Sequence, residues 1–193
     1  MDYATAKNKL ILGDFSNSDW FEAHGYFLEQ AYSLVLEQRA EEALSVLDII
    51  YEKDIRADWL RKIIPVLVSK KFEEYPSFLQ VRNFLEVDLT MFLQMEQGEY
   101  TLNLLNFGEE FFSICKESYK FMGRALYYYG LKPLALKFFL FAKDKFYNDS
   151  EVHFLLAKTY LDMEDKENAR HAIQTCLSFI PEYKPALKIL SEI

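Results

Sequence analysis

Apolar residues return every three to four positions through most of the chain, the spacing of helices that bury one face. Over residues 116–183 the pattern also repeats as a block of 34 residues. Gly123, Ala135, Phe139 and Ala142 return as Ala157, Ala169, Ile173 and Cys176, and Leu126 returns as Tyr160. Each block predicts two antiparallel helices. A small residue on the first helix meets a small residue twelve positions later on the second, because a bulky side chain at the crossing would force the axes apart. The large residues three after the first and four after the second fill the space beside the crossing. Gly130 falls in the connection, where a left-handed C-cap is easiest for glycine. One such pair cannot bury its own apolar face, so pairs must stack.

The frame occurs a third time near the amino terminus. Ala31 and Ala43 are twelve apart, with Leu34, Leu47 and Ile50 at the packing positions. Arg39-Ala40-Glu41-Glu42 reads as the turn and the acidic first turn of a second helix, as the helix dipole favours. Clear units thus cover about 24–57, 116–149 and 150–183, and residues 58–115 read as one degenerate unit plus an extra helix.

Several finer expectations attach to that middle stretch. Residues 59–71 predict a helix that Pro65 kinks or shortens. Tyr75-Pro76 reads as a helix entry with proline at the first position. Residues 77–95 are apolar nearly all round, which predicts burial on several sides. Gln97-Gly98-Glu99-Tyr100 reads as an inter-helix turn, followed by one helix with Leu104, Phe107 and Phe111 facing inward.

At the ends, residues 1–17 read as an arm or a short helix, and Ser16 to Asp19 offer N-caps for a helix near Trp20. Residues 183–193 read as a capping helix that lays Tyr183, Leu187 and Leu190 over the last pair. The expected fold is all-α, a single domain over residues 18–193 with about nine or ten helices.

Composition narrows the function more than the fold. Tyr and Phe number 13 and 17, so the helices have aromatic mass to pack, while 6 Gly and 5 Pro are too few for a sandwich of many tight turns. Thirty acidic residues against 22 basic ones leave a net charge of −8, which argues against a nucleic-acid or anionic-membrane binder. No apolar run approaches a membrane span and no charged-then-apolar leader opens the chain, so direct membrane insertion is not expected and the cytoplasm is the expected location.

A search for reactive groups finds little. Phosphate loops, nucleophile elbows and metal-ligand spacings are missing, so no enzyme activity, cofactor or metal is expected. Cys115 and Cys176 are too few and too far apart in sequence for a disulfide framework, and Cys176 sits at a packing position. His24, His153 and His171 are scattered over separate helices, with His153 where a packing residue belongs. The pairs Glu41/Glu42, Glu73/Glu74 and Glu109/Glu110 are adjacent, and neighbours on a helix do not face each other.

The repeat resembles the tetratricopeptide (TPR) family: a small residue, a large one three on, then A-x3-F, with Pro181 where the pattern ends. The resemblance covers residues 116–181 well and 26–55 loosely, and it implies a right-handed superhelical stack of helix pairs. It also implies that positions 2, 5, 9, 12 and 13 of each first helix line an inner groove. In the two carboxy-terminal units these are Glu117, Lys120, Arg124, Tyr127 and Tyr128, then Glu151, Phe154, Lys158, Leu161 and Asp162. The amino-terminal unit would add Leu28, Tyr32, Val35 and Leu36, an apolar patch open to a helix or covered by residues 1–17 or a second copy of the chain.

Lys120, Arg124 and Lys158 read as a basic strip flanked by rings, able to receive a partner's carboxylates. Reversing Lys120 and Arg124 is then expected to abolish capture without loss of stability. The family's carboxylate clamp also uses Asn, which this frame lacks.

The function implied is a non-enzymatic scaffold or adaptor that binds a protein or peptide partner. Two alternatives stay open. Residues 151–160 also resemble the final repeat of type III secretion translocator chaperones, which would make the chain a holder of a secreted client. A structural subunit or homodimer joined through exposed aromatics is the other.

Overall fold

The computed structural model describes residues 1–193 and contains thirteen helices and no strand. In chain order they are α1 (Tyr3–Ile11), α2 (Ser18–Ala23), α3 (Phe27–Leu36), α4 (Ala40–Leu47), α5 (Ile55–Ser69), α6 (Phe78–Gln94) and α7 (Gly98–Asn106). There follow α8 (Gly108–Ile114), α9 (Ser118–Tyr128), α10 (Lys132–Lys145), α11 (Ser150–Asp162), α12 (Lys166–Phe179) and α13 (Lys184–Glu192). The count exceeds the nine or ten expected because short segments at the amino terminus and near Phe107 fold as separate helices. Contacts divide the chain into two compact units, Met1–Phe84 with Met91–Phe107, and Leu85–Thr90 with Gly108–Ile193.

In the second unit α9 packs on α10 and α11 on α12, while α10 meets α11 and α13 closes on α12. This is a tetratricopeptide-like stack of antiparallel pairs. Ala135, Phe139, Ala157, Ala169, Ile173 and Cys176 are wholly buried, as the crossing positions require. At the carboxy-terminal end the buried residue of α13 is Ala186. Leu187, expected to cover the last pair, is 44% exposed.

The repeat is also written in the backbone. The amides of Arg39, Gln97, Leu131 and Asp165 donate to the carbonyls of Leu34, Phe92, Leu126 and Tyr160, at 2.8, 2.8, 2.9 and 2.9 Å. Before each donor stands a left-handed residue: Gln38, Glu96, Gly130 or Glu164. These are αL C-caps that satisfy the last carbonyls of each first helix. Glu96, Gly130 and Glu164 are 34 apart, so residues 82–115 lie in register with the two clear units. At the places of the frame where the clear units carry their small residues stand Leu89 and Thr101, both buried but neither tiny, and this hid the frame in the sequence.

The second helix of that middle unit is broken. Phe107 ends α7 and Gly108 begins α8, so Leu104 and Phe111 are buried from different helices instead of one. A β-carbon on Gly108 would lie 3.1 Å from Cε1 of Tyr119, so the close approach of that ring favours glycine.

In the first unit α2 packs on α3, α3 on α4, α4 on α5 and α5 on α7, around Ala31, Ala43, Leu47, Trp59, Leu60 and Ile63. The Asp54 carboxylate caps α5 by accepting from the amides of Arg56 and Ala57, and the helix runs through Pro65 to a left-handed Lys70. The Nδ2 amide of buried Asn103 donates to the carbonyl of Leu67 at 2.6 Å, binding α7 to the end of α5.

Pro76 is not the first residue of α6. Ser77 is the N-cap, in a reciprocal capping box with Gln80 that outcompetes a proline start. Nor is α6 buried all round: Phe78, Leu79 and Val87 are about half exposed. Residues 3–11 form α1, whose Ala6 and Leu10 are buried and whose Tyr3 ring lies 4.5 Å from that of Tyr26.

Candidate functional site

The residues predicted for the second unit's inner face come together as one row along α9 and α11. Asp149 caps α11, accepting from the amides of Glu151 and Val152, which brings its other oxygen to Lys120 on α9. The Lys120 ammonium then lies 2.8 Å from Asp149, 2.9 Å from Glu151 and 3.2 Å from Glu117. Its side chain is only 6% exposed. Burial opposes the charge, but the hydrogen bonds that the ammonium donates to Asp149 and Glu151 outweigh it and hold it well above its ordinary pKa.

One turn on, the Nε of Arg124 donates to Glu86 at 2.9 Å and its Nη1 to Glu151 at 2.8 Å. Burial again opposes the charge, and the bonds with Glu86 raise it. Lys120 and Arg124 are therefore the internal rivets of the row. The reading of them as a free basic strip is corrected by this pairing: four carboxylates, on Glu86, Glu117, Asp149 and Glu151, surround the two cations.

The third cation differs. The Lys158 ammonium has no carboxylate partner, and lies 5.0 Å from the ring centroid of Tyr127 and 5.9 Å from those of Tyr128 and Phe154. These are distances at which a ring face attracts a cation. Tyr127 is fixed by donating its hydroxyl to Asp162 at 2.6 Å, and burial with that bond raises the phenol pKa. Tyr128 is 69% exposed. The Phe154 ring meets that of Tyr183 edge-on at 5.2 Å, and Leu161 stands half-exposed one turn beyond Lys158.

Tyr32 and Leu28 lie on α3 in the first unit. Tyr32 is buried, with its hydroxyl accepting from Nε of Arg56 at 2.6 Å and its ring under the guanidinium at 5.1 Å. Leu28 is half-buried, and Val35 and Leu36 are buried. Of the two expectations for this patch, open or covered, burial excludes the open one at Tyr32, Val35 and Leu36, because that face of α3 is spent on packing.

A cleft of about 610 Å³ opens where α10 turns into α11, bounded by Lys116, Lys120, Lys145, Phe146, Tyr147 and Asp149 among others. The Lys116 and Lys145 ammoniums stand 4.5 and 5.8 Å from the ring centroid of Phe112. His153 is buried below, its Nε2 donating to the carbonyl of Tyr147 at 2.6 Å. No group of three or more His, Cys, Asp or Glu side chains is placed to hold a metal ion, and no helix is long and apolar enough to cross a membrane.

The chain is similar to one solved TPR protein. That structure is YrrB, a TPR protein with an unusual peptide-binding site, at 17% identity and a TM-score of 0.46. The match covers 84% of this chain and 89% of that chain. No family model matches the chain, and no curated protein does.

Sequence reasoning missed Glu86 and Asp149 and gave Tyr183 a capping role only. Glu86 occupies position 5 of the middle unit, the place held by Lys120 and Phe154 in the next two, so the frame at 82–115 would have found it. Asp149 carried the ordinary signal of an N-cap before a helix, which says nothing about its second oxygen.

Proposed function

We propose that the chain is a non-enzymatic protein-interaction scaffold that receives a partner segment along the α9–α11 row. The observation carrying this reading is Lys158, an unpaired ammonium among three rings on a face otherwise locked by ion pairs. Lys120 and Arg124 align α9 and α11, and Tyr128, Phe154, Lys158 and Leu161 make the contact. Exposed aromatic side chains lose little rotamer freedom when they bind, which favours them as anchors.

Photo-crosslinking tests this. A benzoyl-phenylalanine at Tyr128 or Leu161 should capture the partner, whereas one at exposed Gln174 on α12 should not. Tyr128→Ala with Lys158→Ala should abolish capture at an unchanged melting temperature. Equal crosslinking from residue 174, or capture that survives the double substitution, would overturn the assignment.

A further inference from the structure

We propose that the cleft between α10 and α11 is a second binding site, for an acidic peptide segment carrying a bulky apolar side chain. Its volume, about 610 Å³, is in the range of roughly 300–1,000 Å³ that holds a compact ligand. The floor is apolar: Ala142 and Val152 are buried, while Phe146 and Tyr147 remain about half exposed at the wall. The cleft's own carboxylates, Glu117 and Asp149, are both committed to Lys120.

The rim carries the opposite condition. Lys116 and Lys145 are exposed, lie 4.5 and 5.8 Å from the centroid of the Phe112 ring, and have no carboxylate partner. Two unneutralised ammoniums over an apolar floor, in a chain of net charge −8, are complementary to an apolar side chain flanked by carboxylates. A basic segment would meet like charges at both rims. The cleft shares Glu117, Lys120 and Asp149 with the α9–α11 row, but none of Tyr128, Phe154, Lys158 and Leu161, the residues proposed to meet a partner there.

Three blocked peptides test it, each with a central phenylalanine flanked by aspartates, asparagines or lysines, titrated into the isotope-labelled full chain and followed by backbone amide shifts. The aspartate peptide should saturate, shifting the amides of Lys116, Tyr147, Asn148 and Val152, and should weaken as salt rises. Lys116→Glu with Lys145→Glu should lower its affinity by roughly tenfold or more. Phe146→Ala should weaken the aspartate and asparagine peptides alike while keeping the preference between them.

Equal binding of the lysine peptide, or no saturable shift with the aspartate peptide, would overturn the proposal. So would shifts confined to Tyr128 and Lys158. If single-stranded nucleic acid displaces nothing and shifts nothing, the peptide assignment gains; if it binds the cleft more tightly than the aspartate peptide, the assignment falls. Failure of crosslinking at residues 128 and 161 with cleft shifts intact would sink the row alone.

Discussion

Gly123 leaves the space into which the ring of Phe139 fits. A β-carbon built on Gly123 would stand 3.1 Å from Cζ of that ring and nearer still to Cε1 and Cδ1. The next unit solves the same crossing with Ala157 and Ile173, both wholly buried. One methyl added on the first helix is matched by a slimmer side chain on the second.

That relationship sets the first prediction. Gly123→Ala should gain about 1 kcal/mol of helix propensity, yet overpacking against the wholly buried Phe139 ring should outweigh it, for a net loss of about 1–3 kcal/mol. Adding Phe139→Ile should recover part of the loss, giving a favourable coupling in a double-mutant cycle by urea unfolding. Strict additivity would show that the two residues do not share the space.

Charge reversal at the rivets should separate structure from contact. Lys120→Glu would place a fourth carboxylate among Glu117, Asp149 and Glu151, and breaking a buried pair of this kind costs about 3–5 kcal/mol. This replaces the expectation that such a change spares stability. Lys158→Glu should stay within about 0.5 kcal/mol of the parent. Thermal melts of the two variants check the contrast, and equal melting temperatures would contradict it.

Ala135→Leu and Ala169→Leu should each destabilise by about 1–3 kcal/mol or more, because both alanines are wholly buried where two helices cross. Circular dichroism against urea measures this. A neutral result at either position would remove the crossing from that pair.

The pH dependence has a sign fixed by His153. Burial lowers its pKa below the ordinary 6.5, more than the bond to the Tyr147 carbonyl raises it. The unfolded chain therefore binds the proton more readily, so this contribution is complete above 6.5 and is lost as pH falls through the folded value. Between about pH 7 and pH 5 the parent should lose more stability than His153→Gln does. Parallel curves would show that His153 titrates as it does in the unfolded chain.

The turns were the most legible part of the chain where glycine marked them, and the least where it did not. Gly130 declared its connection, but Gln38, Glu96 and Glu164 take the same left-handed backbone without glycine. A non-glycine residue there costs about 1–2 kcal/mol, which stacked helices can absorb, so the residue type is not a dependable marker. The aromatic part of the row, Tyr127, Tyr128 and Phe154, was named through the family resemblance, which supplies positions along each first helix. The state of its charges was not legible. Arg124 finds Glu86 and Glu151, 38 residues behind it and 27 ahead, only because adjacent first helices align.

Periodicity and side-chain size, read along the chain, determined that it is helical and that pairs of helices cross at small residues. These follow from local geometry: a helix repeats every 3.6 residues or so, and only a small side chain tolerates close axes. Only tertiary packing decided which charges cancel, that the face of α3 is buried, and that a cleft with free lysines opens beside Phe146. Those depend on distances between residues far apart in sequence, where a shift of one helical turn exchanges one partner for another.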